Sequence, residues 1–204
     1  MKKIISLSVL AGSILLLGSC SVTKDSISQP ENANFEGGKD AAASCFIIKK
    51  DGSTIPYQSL RQVNSVFHNA YLLADGKTRI YPDEIKAYQT TGYYAVSQTQ
   101  FANGRKSTVS RNCLPGFAIR IVRGKLNLYC KQFYNGANSV DEFYLQNGDA
   151  GKIEAYSPKL MAVILKDNPD AARFFDNNKK LSLARRLTGT VAIINNDHIA
   201  VTKN

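Results

Sequence analysis

The chain has 204 residues, 44% hydrophobic and 21% charged, and its 26 basic against 16 acidic residues give a formal net charge of +10. That balance excludes a disordered chain, and the 14 glycines without a triplet period exclude collagen. Four cysteines are too few for a miniprotein built on disulfides, and the length allows one domain or two small ones.

Met1-Lys2-Lys3 is a short positive head, and Ile4 to Leu17 is an apolar run broken only by Ser and Gly. Small residues follow at Gly18 and Ser19, then Cys20. This order predicts a secretory signal peptide over 1–19, and the apolar run is short of the roughly 20 residues a spanning helix needs. Leu17-Gly18-Ser19-Cys20 resembles the lipobox of bacterial lipoproteins. The resemblance implies cleavage before Cys20, a diacylglycerol on its thiol and an acyl chain such as palmitate on its amine. Each buried CH₂ would add about 0.8 kcal/mol of anchoring. Ser21 stands where an Asp can mark inner-membrane retention in such lipoproteins. The resemblance therefore implies an outer-membrane protein of the cell envelope, facing the periplasm.

Loss of Lys2 and Lys3 with the signal takes the net charge from +10 to +8. With Cys20 lipidated, Cys45, Cys113 and Cys130 remain, so at most one disulfide forms within the chain. Cys113 and Cys130 are the nearer pair and a possible disulfide across adjacent strands, if their Cα atoms approach within about 7 Å. Residues 20–43 read as the lipidated Cys and a flexible tether. Ser, Asn, Gln, Glu, Gly and Lys dominate and apolar residues are scattered, too few to fold on.

From 44 to about 156 the pattern is β. Cys45 to Ile48 is a short apolar run, and Asp51-Gly52 is a turn dipeptide. A second, Asp75-Gly76, separates Tyr71-Leu72-Leu73 from Thr78 to Tyr81. Ile85 to Gln89 and Tyr93 to Thr99 are further strands. The clearest hairpin runs from Phe117 to Phe133: Phe117, Ile119 and Ile121 alternate, then Leu126, Leu128 and Cys130 after Arg123-Gly124. Val140 to Gln146 and Lys152 to Tyr156 pair around Asn147-Gly148-Asp149. Short strands with turn dipeptides between them predict an antiparallel sheet or small barrel.

After Ser157 the period becomes helical. Ser157-Pro158 and Asn168-Pro169 both read as an N-cap followed by Pro in the first turn. Ala184, Leu187, Val191 and Ile194 then fall at helical spacing. A hairpin over Thr190 to Thr202, turning at Asn195-Asn196-Asp197, is the alternative, favoured by Gly189 and the β-branched run. The helix is the reading taken. The expected fold is α+β, a sheet or barrel over about 44–156 followed by helices over about 157–196, with 44–204 as one domain.

No nucleotide-binding, hydrolase-elbow or zinc-protease motif occurs, and no Cys-x-x-Cys pair. No cofactor, metal site or catalytic residue is therefore assigned. A thiol nucleophile would need His68 beside Cys45 or Cys113; buried structural cysteines are the commoner use. His198 reads as solvated. Asp83-Glu84 reads as a turn, and Asp141-Glu142 would point to opposite faces of a strand. Asp149 reads as part of a tight turn, since a calcium loop needs more carboxylates than this one has.

No acidic residue lies between Glu84 and Asp141, while Lys86, Arg105, Lys106, Arg111, Arg120, Arg123, Lys125 and Lys131 do. Strand alternation puts Arg120, Tyr129 and Lys131 on one face, and Arg105, Lys106 and Arg111 fall in a polar loop nearby. The prediction is a basic, tyrosine-bearing outer face of Arg105, Lys106, Arg111, Arg120, Tyr129 and Lys131. It would suit an anionic lipid, an acidic glycan or an acidic protein. An envelope protein is not expected to meet nucleic acid.

Ala74-Asp75-Gly76-Lys77, Glu84 to Gln89, Gly92 to Ala95 and Phe143 to Asp149 resemble stretches of small, uncharacterised bacterial envelope lipoproteins. That resemblance implies an envelope domain and no activity. The sequence is thus read as a lipid-anchored, non-catalytic binding or structural module. An envelope-polymer hydrolase and a subunit of an outer-membrane complex are the alternatives.

Overall fold

The computed structural model describes residues 45–64, 69–102, 112–134 and 136–201, without the side chains of Tyr134 and 197–201. The signal segment, the tether, Cys20, His68, Arg105, Lys106 and Arg111 lie outside the described residues, as does the His198 side chain.

The strands are β1 (Cys45–Lys49), β2 (Thr54–Tyr57), β3 (Leu60–Val63), β4 (Tyr71–Ala74), β5 (Thr78–Ile80), β6 (Ile85–Gln89), β7 (Tyr94–Ser97), β8 (Phe117–Val122), β9 (Leu126–Tyr134), β10 (Ser139–Asn147) and β11 (Ile153–Ala155). Three helices follow: α1 (Pro158–Leu165), α2 (Pro169–Asn177) and α3 (Leu183–Val201). The fold is α+β. Eight strands form one open antiparallel sheet in the order β11-β10-β9-β8-β7-β6-β1-β2, and β3-β4-β5 form a separate small sheet. The sheet is not closed into a barrel, so of the two expected forms the open one holds.

Turn chemistry explains the hairpins. Asp75 at φ 50° and Gly76 at φ 71° supply the two left-handed residues that a two-residue hairpin needs between β4 and β5. The Asp75 carboxylate also accepts the Ser59 N–H at 2.8 Å, tying that turn to the start of β3. Asp83-Glu84 lies in a single 3-10 turn, Pro82–Glu84, as read from the sequence.

Register sorts the side chains onto two faces. On the first face, Cys45 and Ile47 of β1, Tyr88 of β6, Ala95 of β7 and Phe117 of β8 pack against Leu60, Leu72, Ala74 and Ile80 of the small sheet. Farther along that face, Leu126 and Leu128 of β9 and Phe143 and Leu145 of β10 pack against Met161, Ala171, Leu187, Val191 and Ile194 of the helices. One sheet face is thus covered in two halves by two different layers. The alternating apolar residues of the predicted 117–133 hairpin are the ones that meet these layers, as burial of one strand face requires.

The helices start where the sequence places them. The Ser157 hydroxyl accepts the Leu160 N–H at 3.1 Å and Pro158 fills the first turn of α1. Asn168 precedes Pro169 of α2 but makes no such cap. Its amide instead donates to the Ile164 carbonyl at 2.8 Å, closing the end of α1. The 190–201 segment is helix, not hairpin. Gly189, which argued for the hairpin, sits inside α3 because the Phe174 ring of α2 occupies the space a Cβ would need. Asn195, where the alternative hairpin would have turned, is helical, as the reading taken requires. Its amide accepts the Leu126 N–H at 2.9 Å and donates to the Leu126 carbonyl at 3.1 Å, clamping the β8–β9 turn.

Candidate functional site

The second sheet face holds the chemistry. β9 and β10 pair in the register Asn127↔Gln146, Tyr129↔Tyr144 and Lys131↔Glu142, and β8 adds Arg120 opposite Tyr129. Three successive polar cross-strand pairs therefore share one face. The segment after β7 lies over them. Phe101 makes a parallel bridge to Ile153 of β11, and the Ala102 N–H donates to the Ile153 carbonyl at 2.9 Å. The chain thus passes from β7 across β8, β9 and β10 to the far edge. On the way the Phe101 ring stacks 4.5 Å from Tyr144 and 6.4 Å from Tyr129.

Arg120, Tyr129 and Lys131 do share a face, as strand alternation requires, but it is not a solvated outer face. Tyr129 is 2% exposed, Lys131 0% and the Arg120 side chain 10%. Aromatic rings lie against all three, which no alternation pattern reveals: Phe101 beside Tyr129, Tyr94 beside Arg120 and Phe133 beside Lys131. The buried charges are consequently neutralised within the fold. The Lys131 ammonium meets the Glu142 carboxylate at 3.2 Å and lies 5.0 Å over the Phe133 ring. The Tyr144 hydroxyl donates to that same carboxylate at 2.9 Å. The Tyr129 hydroxyl donates to the Gln146 side-chain Oε1 at 2.6 Å, and the Gln146 side-chain Nε2 donates to the Asp149 and Gly151 backbone carbonyls at 3.1 and 2.9 Å.

The Arg120 guanidinium lies 4.3 Å over the Tyr94 ring and 3.5 Å from the Asp149 carboxylate. Asp149 also meets Arg123 at 3.4 Å and accepts the Asn127 amide at 2.9 Å. Burial works to raise the Asp149 carboxyl, but the Asn127 amide and the two guanidiniums outweigh it and hold the group below the usual carboxylate range. Burial pushes the Tyr129 phenol up to about 12 against the pull of Arg120, and it raises Tyr144 with the help of Glu142.

Solvent-facing cations gather at one end of this sheet. The β8–β9 turn presents Arg123 and Lys125, and the β10–β11 turn presents Lys152. The two turns are joined by the Gly148 N–H donating to the Lys125 carbonyl at 2.6 Å. Arg123 is 63% exposed, in contrast to Lys131 on the strand. The sequence reading included Arg123 and Lys125 in its acid-free stretch but did not assign them to the face. It also did not match the polar phase Glu142-Tyr144-Gln146 to Asn127-Tyr129-Lys131. That shared alternation was the signal available.

The possible disulfide between Cys113 and Cys130 is not formed. Register sets Ile119, not Cys113, opposite Cys130. Cys113 lies in the turn before β8, where its thiol donates to the Phe117 carbonyl at 3.2 Å. Burial pushes the Cys130 thiol up to about 12, away from nucleophilic use. Among the described residues no group of three or more His, Cys, Asp or Glu could hold a metal ion, and no helix is long and apolar enough to cross a membrane. No family model matches the chain, and no curated protein or solved structure matches it.

Proposed function

We propose that the protein is a lipid-anchored, non-catalytic binding or structural module of the cell envelope that meets an anionic partner. The anchor is Cys20, in the outer membrane and facing the periplasm, and the lipobox-like Leu17-Gly18-Ser19-Cys20 supports it. The contact is the turn end of the main sheet, at Arg123, Lys125 and Lys152. One observation carries the second point. The Lys131 ammonium is matched to Glu142 inside the fold, whereas Arg120 and Arg123 share the single Asp149 carboxylate, which leaves one arginine charge unmatched beside the exposed Lys125 and Lys152. Exposed like charges on joined turns raise the local concentration of anions and are screened by salt. Two experiments test this reading. An alkyne-bearing fatty acid fed to cells is expected to label the wild type and not Cys20→Ala; equal labelling contradicts the anchor. The full chain carrying Cys20→Ala is expected to bind vesicles rich in phosphatidylglycerol at low salt and release them at high salt. Salt-independent binding contradicts the anionic contact.

A further inference from the structure

We infer that Asp149 occupies a phosphate-binding site in the free protein and leaves it when a phosphate group arrives. The inference rests on the proposed anionic contact and names its chemistry. The site has a built floor. Arg120, its side chain 10% exposed, is fixed by stacking 4.3 Å over the Tyr94 ring. Asn127, 0% exposed, is fixed because it accepts the Gly124 N–H at 3.1 Å and donates to Gln146 at 3.3 Å. Arg123 forms the open wall. Two guanidiniums and one amide N–H converge on a single carboxylate, the donor set that binds a phosphate as well as a carboxylate.

Asp149 itself is held tightly only by the Asn127 amide, at 2.9 Å. Its side chain is 60% exposed and it meets the two guanidiniums at 3.5 and 3.4 Å, longer than the roughly 2.7–2.9 Å of a tight charge-assisted bond. It rides on the β10–β11 turn, where Gly148 has a φ of 62°. With Asp149 in place the two arginines still leave one positive charge unmatched, and Lys125 and Lys152 stand on the adjoining turns. Inorganic phosphate carries more charge than the carboxylate, and the phosphodiester of a phospholipid headgroup carries the same single charge on two free oxygens, so either can take the carboxylate's place against the two guanidiniums. While Asp149 sits in the site, apparent affinity falls by the fraction of time the site is open.

The test measures binding of inorganic phosphate by calorimetry, and of phosphatidylglycerol vesicles by flotation, to full chains carrying Cys20→Ala. Asp149→Asn is expected to tighten phosphate binding about tenfold, as for a site open a tenth of the time, and Arg123→Gln in that background is expected to cancel the gain. Arg123→Gln alone, at an exposed position, is expected to weaken binding several-fold and reports on the site even if Asp149→Asn perturbs the turn. Gain with both probes identifies a phospholipid headgroup as a source, and gain with inorganic phosphate alone identifies a free phosphate; both support the site. If the parent chain binds vesicles in a salt-dependent way and none of the three variants changes affinity for either probe, the site is overturned while the anionic contact stands. If no chain binds either probe, both are overturned.

Discussion

At the scale of single residues, the buried Lys131 shows how a charge on a strand becomes structure. Its ammonium and the Glu142 carboxylate face each other in register, and both are tied to aromatic side chains. Removing one partner of a buried pair strands the other and costs about 3–5 kcal/mol. Glu142 keeps 21% of its side chain in water, so Lys131→Met is expected at the low end, about 3 kcal/mol by urea unfolding. Lys131→Met with Glu142→Met is expected to recover most of that loss; a double variant as unstable as the sum of the singles contradicts the pairing. Thr190 is the opposite case: its hydroxyl is buried in α3 with no hydrogen-bond partner. An orphaned buried hydroxyl costs roughly 1–3 kcal/mol, so Thr190→Val is expected to raise the melting temperature. Tyr129 and Cys130 carry a pH signature. Both are raised by burial to about 12, so their neutral forms stabilise the fold fully below the unfolded values of about 10 and 8.5. That stability is lost as pH climbs through those values toward 12. Absorbance titration of the tyrosines is expected to show a buried class that ionises only with alkaline unfolding.

Elements were legible where a local rule fixed them. Asp75-Gly76 and Arg123-Gly124 mark real turns, Ser157-Pro158 starts a real helix, and the alternation over 117–133 gives the strand face that the helices cover. What failed was set by contacts distant in sequence. The strand β2 was missed because Pro56 interrupts it, which the sheet tolerates since β2 is an edge. The strand β3 was missed because Arg61 and Gln62 dilute its apolar signal. Gly189 read as a helix breaker because nothing local announces the Phe174 ring lying against it. This last point is open to test. Alanine is favoured over glycine in a helix by about 1 kcal/mol, yet overpacking costs about 1–3 kcal/mol. Gly189→Ala is therefore expected to destabilise by about 1 kcal/mol in chemical unfolding, and stabilisation would show that α2 and α3 are less closely packed. The sheet edges bear on partners as well. Pro56 blunts β2, and Phe101 bridges β11, so neither edge of the main sheet is a long open template for another chain.

At the scale of the molecule, the candidate site was half legible. Phase alone correctly grouped Arg120, Tyr129 and Lys131. Their burial was not legible, because it involves rings on other elements, Phe101 against Tyr129 and Tyr94 against Arg120, and acids that lie beyond the acid-free stretch, at Glu142 and Asp149. A basic stretch of sequence thus became an internally balanced polar face with its surplus charge displaced to the turns. That displacement is the central claim, and charge reversal tests it most directly. Lys125→Glu with Lys152→Glu, in the full chain carrying Cys20→Ala, is expected to abolish low-salt binding to phosphatidylglycerol vesicles and leave the melting temperature within a degree or two, since both side chains are exposed. Undiminished binding by the folded double variant would contradict the account.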